Sequence, residues 1–413
     1  MTDNPIDSRG AESEFRQLTS PAGIRERCEA LYALGTAGKL AHFTIDETRL
    51  QPIADLVIGV TREAYPDVAR IPYHSRWRHF AVGGVDRTAK FEASIADLSP
   101  EDRLAARAEL AITSVLLDAG AGERWSFREP GGGGYARSEG LALASYHLFV
   151  AGGFSSDPTG APFRADAAAL ERMSTDRLGK AFQVTPENPL VGLPGRAAVL
   201  RRLGELVRTR HDLFGGDPPR LGRLVTPLVA EAAAAGGRLP ARAVFARVLE
   251  AYRAIAPGRL TVGDKPLGDV FQHSEHGKVP FHKLSQWLTY SLVEPLLAEG
   301  IEVVDLDELT GLAEYRNGGL FVDGGAIVPK QPGVLKETHD VGSDVVIEWR
   351  ALTVALLDRV AERMRTELGL SREALPLAKV LEGGTWRAGR KLAKERRPAA
   401  APPIRVRSDG TVF

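Results

Sequence analysis

Phe281–Asp323 reads FHKLSQWLTYSLVEPLLAEGIEVVDLDELTGLAEYRNGGLFVD. Its first half is apolar with helical period and carries Lys283, Gln286 and Tyr290 at i, i+3 and i+7, so the three project from one face. A second short helical segment then brings Glu314, Tyr315, Arg316 and Asn317 into the glycine pair Gly318 and Gly319. Lysine and glutamate are seldom buried without a partner. Set among so much Leu, Trp and Tyr, they predict a partly enclosed pocket holding a cation and a carboxylate. That is minimal equipment for an anionic substrate.

Outward from this stretch the pattern stays helical. Ser20 followed by Pro21 is a helix start, with a hydroxyl cap and a proline at the first position. Apolar periodicity predicts further helices at Ile45–Tyr65, Glu101–Asp118, Leu141–Val150, Ala167–Met173, Arg196–Arg208 and Ala243–Ala254, and a long one at about 344–367. The four glycines at 131–134 read as a hairpin or turn. Strand signals are few: Arg259–Val262 and Leu320–Val328. The expected fold is mainly α. A loose arm at 1–18 precedes one helical domain at 19–391, with a weak lobe boundary near 212–222. The segment 153–195 is loop-rich, an insertion or a lid, and a basic, Pro-rich, solvated tail occupies 392–413.

Lys+Arg and Asp+Glu each total 53. The chain therefore lacks a global basic field, and no nucleic-acid partner is expected. No apolar run approaches the ~20 residues a membrane helix needs. The single cysteine, Cys28, and a polar N-terminus without a signal-like apolar region point to a reducing, cytoplasmic setting.

Several side chains could carry chemistry. After Pro72, HSRWRHF reads as extended, which would put His74, Arg76 and Arg78 on one face beside His79 as a phosphate grip. An exposed basic loop anchored by Trp77 and Phe80 is the plain alternative. Asp118 ends a helix among small residues, either as a simple terminus or as a carboxylate facing a cavity framed by Trp125. Ser138 reads as the cap of a helix that begins at Arg137, Ser138 and Glu139. Glu348 and Arg350 stand two apart in an apolar helix, so at least one meets the interior. His273, His276 and His282 lack a zinc ligand pattern and read as a solvent-exposed loop.

IPYHSRWRHF, AITSVLLDAGAG, RSEGLALAS, FHKLSQWLTYSL, LTGLAEYRNGGLF and KVLEGGTWRAGR together resemble the uracil-catabolism protein four family of fungi and bacteria, from about Ser20 to Lys391. That family is tied to a uracil pathway that ends in urea. A weaker similarity is to the queuosine salvage nucleotide N-glycosylases, whose motifs are Lys-Arg-Ala-Gln, then Ala-Asp-Tyr-Arg, then Glu-Ile-Arg at the start of a long helix. The matching stations are Lys283 with Gln286, then Glu314-Tyr315-Arg316, then Glu348-Trp349-Arg350. The second resemblance implies a fold like the helix-hairpin-helix DNA glycosylases. It also implies a catalytic carboxylate at Glu314, one methylene longer than the family's aspartate, and a phosphate-side lysine at Lys283.

The expected activity is hydrolysis of the N-glycosidic bond of a ribosyl 5-phosphate such as ribosylurea 5-phosphate. Glu314 would stabilise the oxocarbenium, attack it or activate water, with Asp118 next in line. Lys283, Arg316, Arg76 and Arg78 would hold the phosphate. Gln286, Tyr290, Asn317, His74, His79, Glu139, Glu348 and Arg350 would complete substrate binding. No cofactor or metal is implied. The rivals are a metal-dependent amidohydrolase built on the three histidines and a non-enzymatic pathway partner.

Overall fold

The computed structural model describes residues 5–253, 255 and 260–407. Helices dominate, joined by short two-stranded ladders. The chain divides into two compact units. Of the described residues, the first takes 5–74, Tyr252–Gln286 and 305–407; the second takes Ser75–Ala251 and Trp287–Val304.

The first unit is organised by the Asp344–Leu368 helix, packed against Pro21–Thr36, Leu50–Ala64 and Tyr315–Asp323. As expected, Ser20 caps the Pro21–Thr36 helix, its Oγ accepting from Gly23 N at 3.0 Å. The expected helix at Ile45–Tyr65 begins only at Leu50, because Phe43–Ile45 pairs antiparallel with Ile327–Pro329. Of the expected strand Leu320–Val328, Leu320–Asp323 is helix, since Glu314 caps Tyr315–Asp323, while Ile327 and Val328 are strand as expected. Of the expected strand Arg259–Val262, Thr261–Val262 is extended, while Arg259 lies outside the described residues.

The described terminal segments hold more regular structure than their composition suggests, while residues 1–4 and 408–413 of the expected arm and tail lie outside the described residues. In place of a loose arm, Pro5–Leu18 is a helix, with Leu18 buried against Val262, Leu267 and Val270 and Phe15 packed on that cluster. In place of a solvated tail, Trp386–Arg396 is a helix against Tyr315–Asp323, Ile404 is buried, and Arg405–Arg407 pairs with Thr338–Asp340. The helix contact is close because residue 389 is glycine: a Cβ there would sit 2.2 Å from the Arg316 carbonyl oxygen.

The second unit is built on Pro100–Leu116, buried from Leu104 onward and packed on Arg137–Val150 and the Leu221–Val225 turn. The expected hairpin joins Ser126–Arg128 to Gly134–Ala136. Residues 212–222 lie inside this unit. Their Arg220 donates to Glu109 from Nε at 2.7 Å and Nη2 at 2.8 Å. Gly222 N and Ala165 N complete the shell of that wholly buried carboxylate. HSRWRHF is not extended: Trp77–Phe80 forms a helical turn, and His74, Arg76 and Arg78 do not share a strand face. Removing one partner of a buried pair strands the other charge. Glu109→Ala is therefore expected to lower unfolding stability by about 3–5 kcal/mol, read from urea titration. A loss of a few tenths would mean that Arg220 finds another counter-charge.

Candidate functional site

The Lys283–Ala298 helix starts at a junction made by Asp269. Asp269 Oδ2 accepts from Lys283 N at 3.0 Å, so this carboxylate caps the helix. The same group takes Arg350 Nη1 and Nη2 at 2.9 and 2.8 Å as a forked pair. Arg350 lies over the Phe281 ring at 4.1 Å and donates from Nε to the Ala313 carbonyl at 3.3 Å. His282, just before the helix, holds a left-handed φ of 47° and bonds Leu18 O through Nε2 at 2.8 Å. A non-glycine residue keeps that conformation only where its surroundings over-determine it.

One residue beyond Ala313, Glu314 caps Tyr315–Asp323. Its oxygens accept from Arg316 N at 2.8 Å and Asn317 N at 2.6 Å. Burial raises the Glu314 pKa, while these amides and the positive charges of Lys283 and Arg316 pull the other way. The sequence-predicted Lys283, Glu314 and Arg316 thus share one electrostatic environment. Arg316 donates to Ala400 O at 2.7 Å and stacks on Tyr315. Asn317 donates to Leu312 O at 3.1 Å. Gln286 is wholly buried and donates to Thr310 Oγ1 at 2.9 Å. Gly318 lets the helix approach the Trp349 indole, where a Cβ would meet ring atoms at 2.7 Å.

Glu348 and Arg350 are both buried, yet they do not pair with each other. Arg350 belongs to Asp269, and Glu348 accepts from Ala41 N at 3.2 Å and His42 N at 3.1 Å. His273 Nδ1 accepts from Glu275 N and His276 N, so the neutral ring carries its proton on Nε2, 3.5 Å from Glu348. His74 Nδ1 is 2.9 Å from Glu382 in a buried dyad, with Tyr65 Oη 3.1 Å from the same carboxylate. Burial works to raise the Glu382 pKa, but the His74 hydrogen bond and charge bring it below the usual range. Glu382 sits in a π-helical turn, Leu381–Thr385, a distortion often found at functional sites.

The remaining expected residues lie in the second unit. Arg76 is wholly buried; it meets Asp118 at 2.8 Å and donates to Ser114 Oγ at 2.7 Å. Burial lowers its pKa and Asp118 opposes that. Ser138 is not the cap its position suggested: the helix starts after Ala136 without a side-chain cap, and Ser138 Oγ donates to Asp118 Oδ2 at 3.1 Å. Arg78 and Ser75 both bond Glu294. His79 packs edge-on against Trp287, Tyr290 is wholly buried, and Glu139 is half-buried.

The model of a family described as proteins of unknown function, DUF1688, matches residues 17–413. The chain belongs to this family. It is 37% identical over 407 residues to protein urg3 of Schizosaccharomyces pombe, covering 96% of this chain and 98% of that one. It is 33% identical over 451 residues to uracil catabolism protein 4 of Lachancea kluyveri, covering 100% and 99%.

For this family member the three histidines do not form the exposed loop expected of them. His273 and His282 are buried, and His282 is committed to Leu18. Among the described residues no group of three or more His, Cys, Asp or Glu is arranged to hold a metal ion. Sequence reasoning missed Asp269 and Glu382. Glu382 gave a usable signal, a carboxylate between Leu381 and two glycines in an apolar run. Asp269 gave none, because nothing in the spacing ties it to Arg350, 81 positions away.

Burial, opposed by the Ala41 and His42 amides, lifts the Glu348 pKa from 4.5 to about 7. The folded state therefore binds the proton more tightly than the unfolded chain. Stability from this group is full below pH 4.5 and is lost as pH rises to 7, at about 1.4 kcal/mol per unit and at most about 3 kcal/mol. Urea titrations between pH 5 and 8 are expected to show this decline, and Glu348→Gln to flatten it. An unchanged slope in the variant would assign the proton elsewhere.

Proposed function

We propose that this protein is a hydrolase that cleaves the N-glycosidic bond of a ribosyl 5-phosphate arising in uracil breakdown, with ribosylurea 5-phosphate as the leading substrate. Water adds at C1, the C1–N bond breaks, and the nitrogen leaves protonated as urea, with ribose 5-phosphate remaining. The observation that carries this reading is the buried Glu314 carboxylate, held by two amides within the field of Lys283. Positive charge grows at C1 as the bond stretches, and a fixed anion in a water-poor setting stabilises it. The name of the Lachancea kluyveri relative supplies the pathway, and the likeness to the salvage glycosylases supplies the bond type. The expectation of a helix-hairpin-helix glycosylase fold belongs to the same reading.

In this reading Lys283, whose charge acts on Glu314, takes the phosphate, and Arg76 and Arg78 serve Asp118 and Glu294. Stabiliser, nucleophile and water activator are all roles of an ionised Glu314. Its pKa is raised, so turnover should increase with pH through a limb lying above the ordinary carboxylate range.

The test is urea release from synthetic ribosylurea 5-phosphate by the full chain. Glu314→Gln should lower kcat by roughly 100-fold or more and erase the acid limb while ligand binding persists. Near-normal turnover by that variant would move the chemistry away from Glu314. The unphosphorylated riboside should show a much lower kcat/KM, and Lys283→Ala should shrink that preference. Equal specificity constants for the two compounds would show that Lys283 serves structure.

A further inference from the structure

On the Trp386–Arg396 helix, Arg387, Arg390, Lys391 and Lys394 fall at i, i+3, i+4 and i+7 and so form one stripe. With Trp386 and Glu395 they line a groove of about 610 Å³, whose other wall is Val60, Glu63 and Ala64 of the Leu50–Ala64 helix. Four cations thus face two carboxylates. Arg387 with Lys391 and Arg390 with Lys394 are like-charge pairs one turn apart, which weaken a helix unless something compensates them. Lys391 and Lys394 form no ion pair among the described residues. Arg387 is only loosely held, with Nη2 at 3.4 Å from both Tyr65 Oη and Glu382 Oε1. The Trp386 ring is half-buried, with the Arg390 guanidinium 5.5 Å from its centre.

We propose that this groove binds a nucleoside 5′-phosphate. The arginine forks and lysines take the phosphate oxygens, and the Trp386 indole with Val60 and Ala64 forms the apolar side against the base. The volume suits one small ligand. The chain is neutral overall and has no extended basic field, so a long nucleic acid is disfavoured. None of these residues surrounds Glu314, and the proposal stands independently of the glycosidase reading.

The experiment is isothermal titration of the full chain at low salt with uridine 5′-phosphate, ribose 5-phosphate and inorganic phosphate. Saturable binding of the nucleotide is expected, weakened roughly tenfold or more in Lys391→Ala/Lys394→Ala. Those two side chains are exposed, so an unchanged thermal melt should accompany the loss. Trp386→Leu should bring nucleotide affinity down to that of ribose 5-phosphate. Lys283→Ala, which acts at the Glu314 site, should leave groove binding intact. Nucleotide affinity unchanged in the double-lysine variant would overturn the proposal and leave a solvated basic face. So would loss of binding in Lys283→Ala, or no saturable heat in the wild type. Inorganic phosphate binding as tightly as the nucleotide would overturn the assigned ligand class.

Discussion

The Arg350 guanidinium closes on the Asp269 carboxylate with side-chain exposures of only 1% and 11%. Much of the first unit depends on this pair. Through Asp269 it sets the start of the Lys283–Ala298 helix, and through the Ala313 carbonyl it fixes the residue before Glu314. Three segments remote in sequence are thereby tied to one buried charge. Breaking such a pair from one side typically destabilises by several kcal/mol, so Lys283 and Glu314 have little freedom to drift apart. Phe281 and Phe271 cover the guanidinium and keep the junction dry.

The chain buries several carboxylates, and they differ in what holds them. Glu109 is saturated by Arg220 and two backbone amides. Glu382 is shared among His74, Tyr65 and Arg387. Glu348 accepts two amides, but burial outweighs them and lifts its pKa to about 7 as it joins the 41–42 backbone to the long helix. Glu314 differs from all of these. Its amides come from its own helix, whose positive end favours the anion, and two cationic side chains bias it further toward ionisation. Burial still outweighs these groups and keeps its pKa above the ordinary carboxylate value.

The Glu382 dyad adds a second titratable element in the same unit. The bond to His74 Nδ1 fixes the imidazole orientation, and the π-turn around Glu382 provides the room for that geometry. Tyr65 and Arg387 then link the dyad to the basic face of the Trp386–Arg396 helix. Gly383 and Gly384 in that turn pack against Val57 and Thr61, where an added Cβ would meet Thr61 at 3.1 Å and Val57 at 2.4 Å, respectively.

The sequence by itself determined the helical class, the Ser20 cap, the glycine hairpin and the long 344–368 helix, because 3.6-residue periodicity and capping chemistry are local. It also marked Lys283 and Glu314, since charged residues in apolar runs demand partners. Only the tertiary structure decided what those partners are. Asp269 and Glu382 are single carboxylates whose meaning comes from residues 81 and 308 positions away. His273 and His282 read as exposed until the strands and the N-terminal helix covered them. HSRWRHF favours an extended strand by its alternation, but Trp77 and Phe80 are buried and turn it into a helix. Such outcomes turn on which distant surfaces meet, and local spacing cannot encode that.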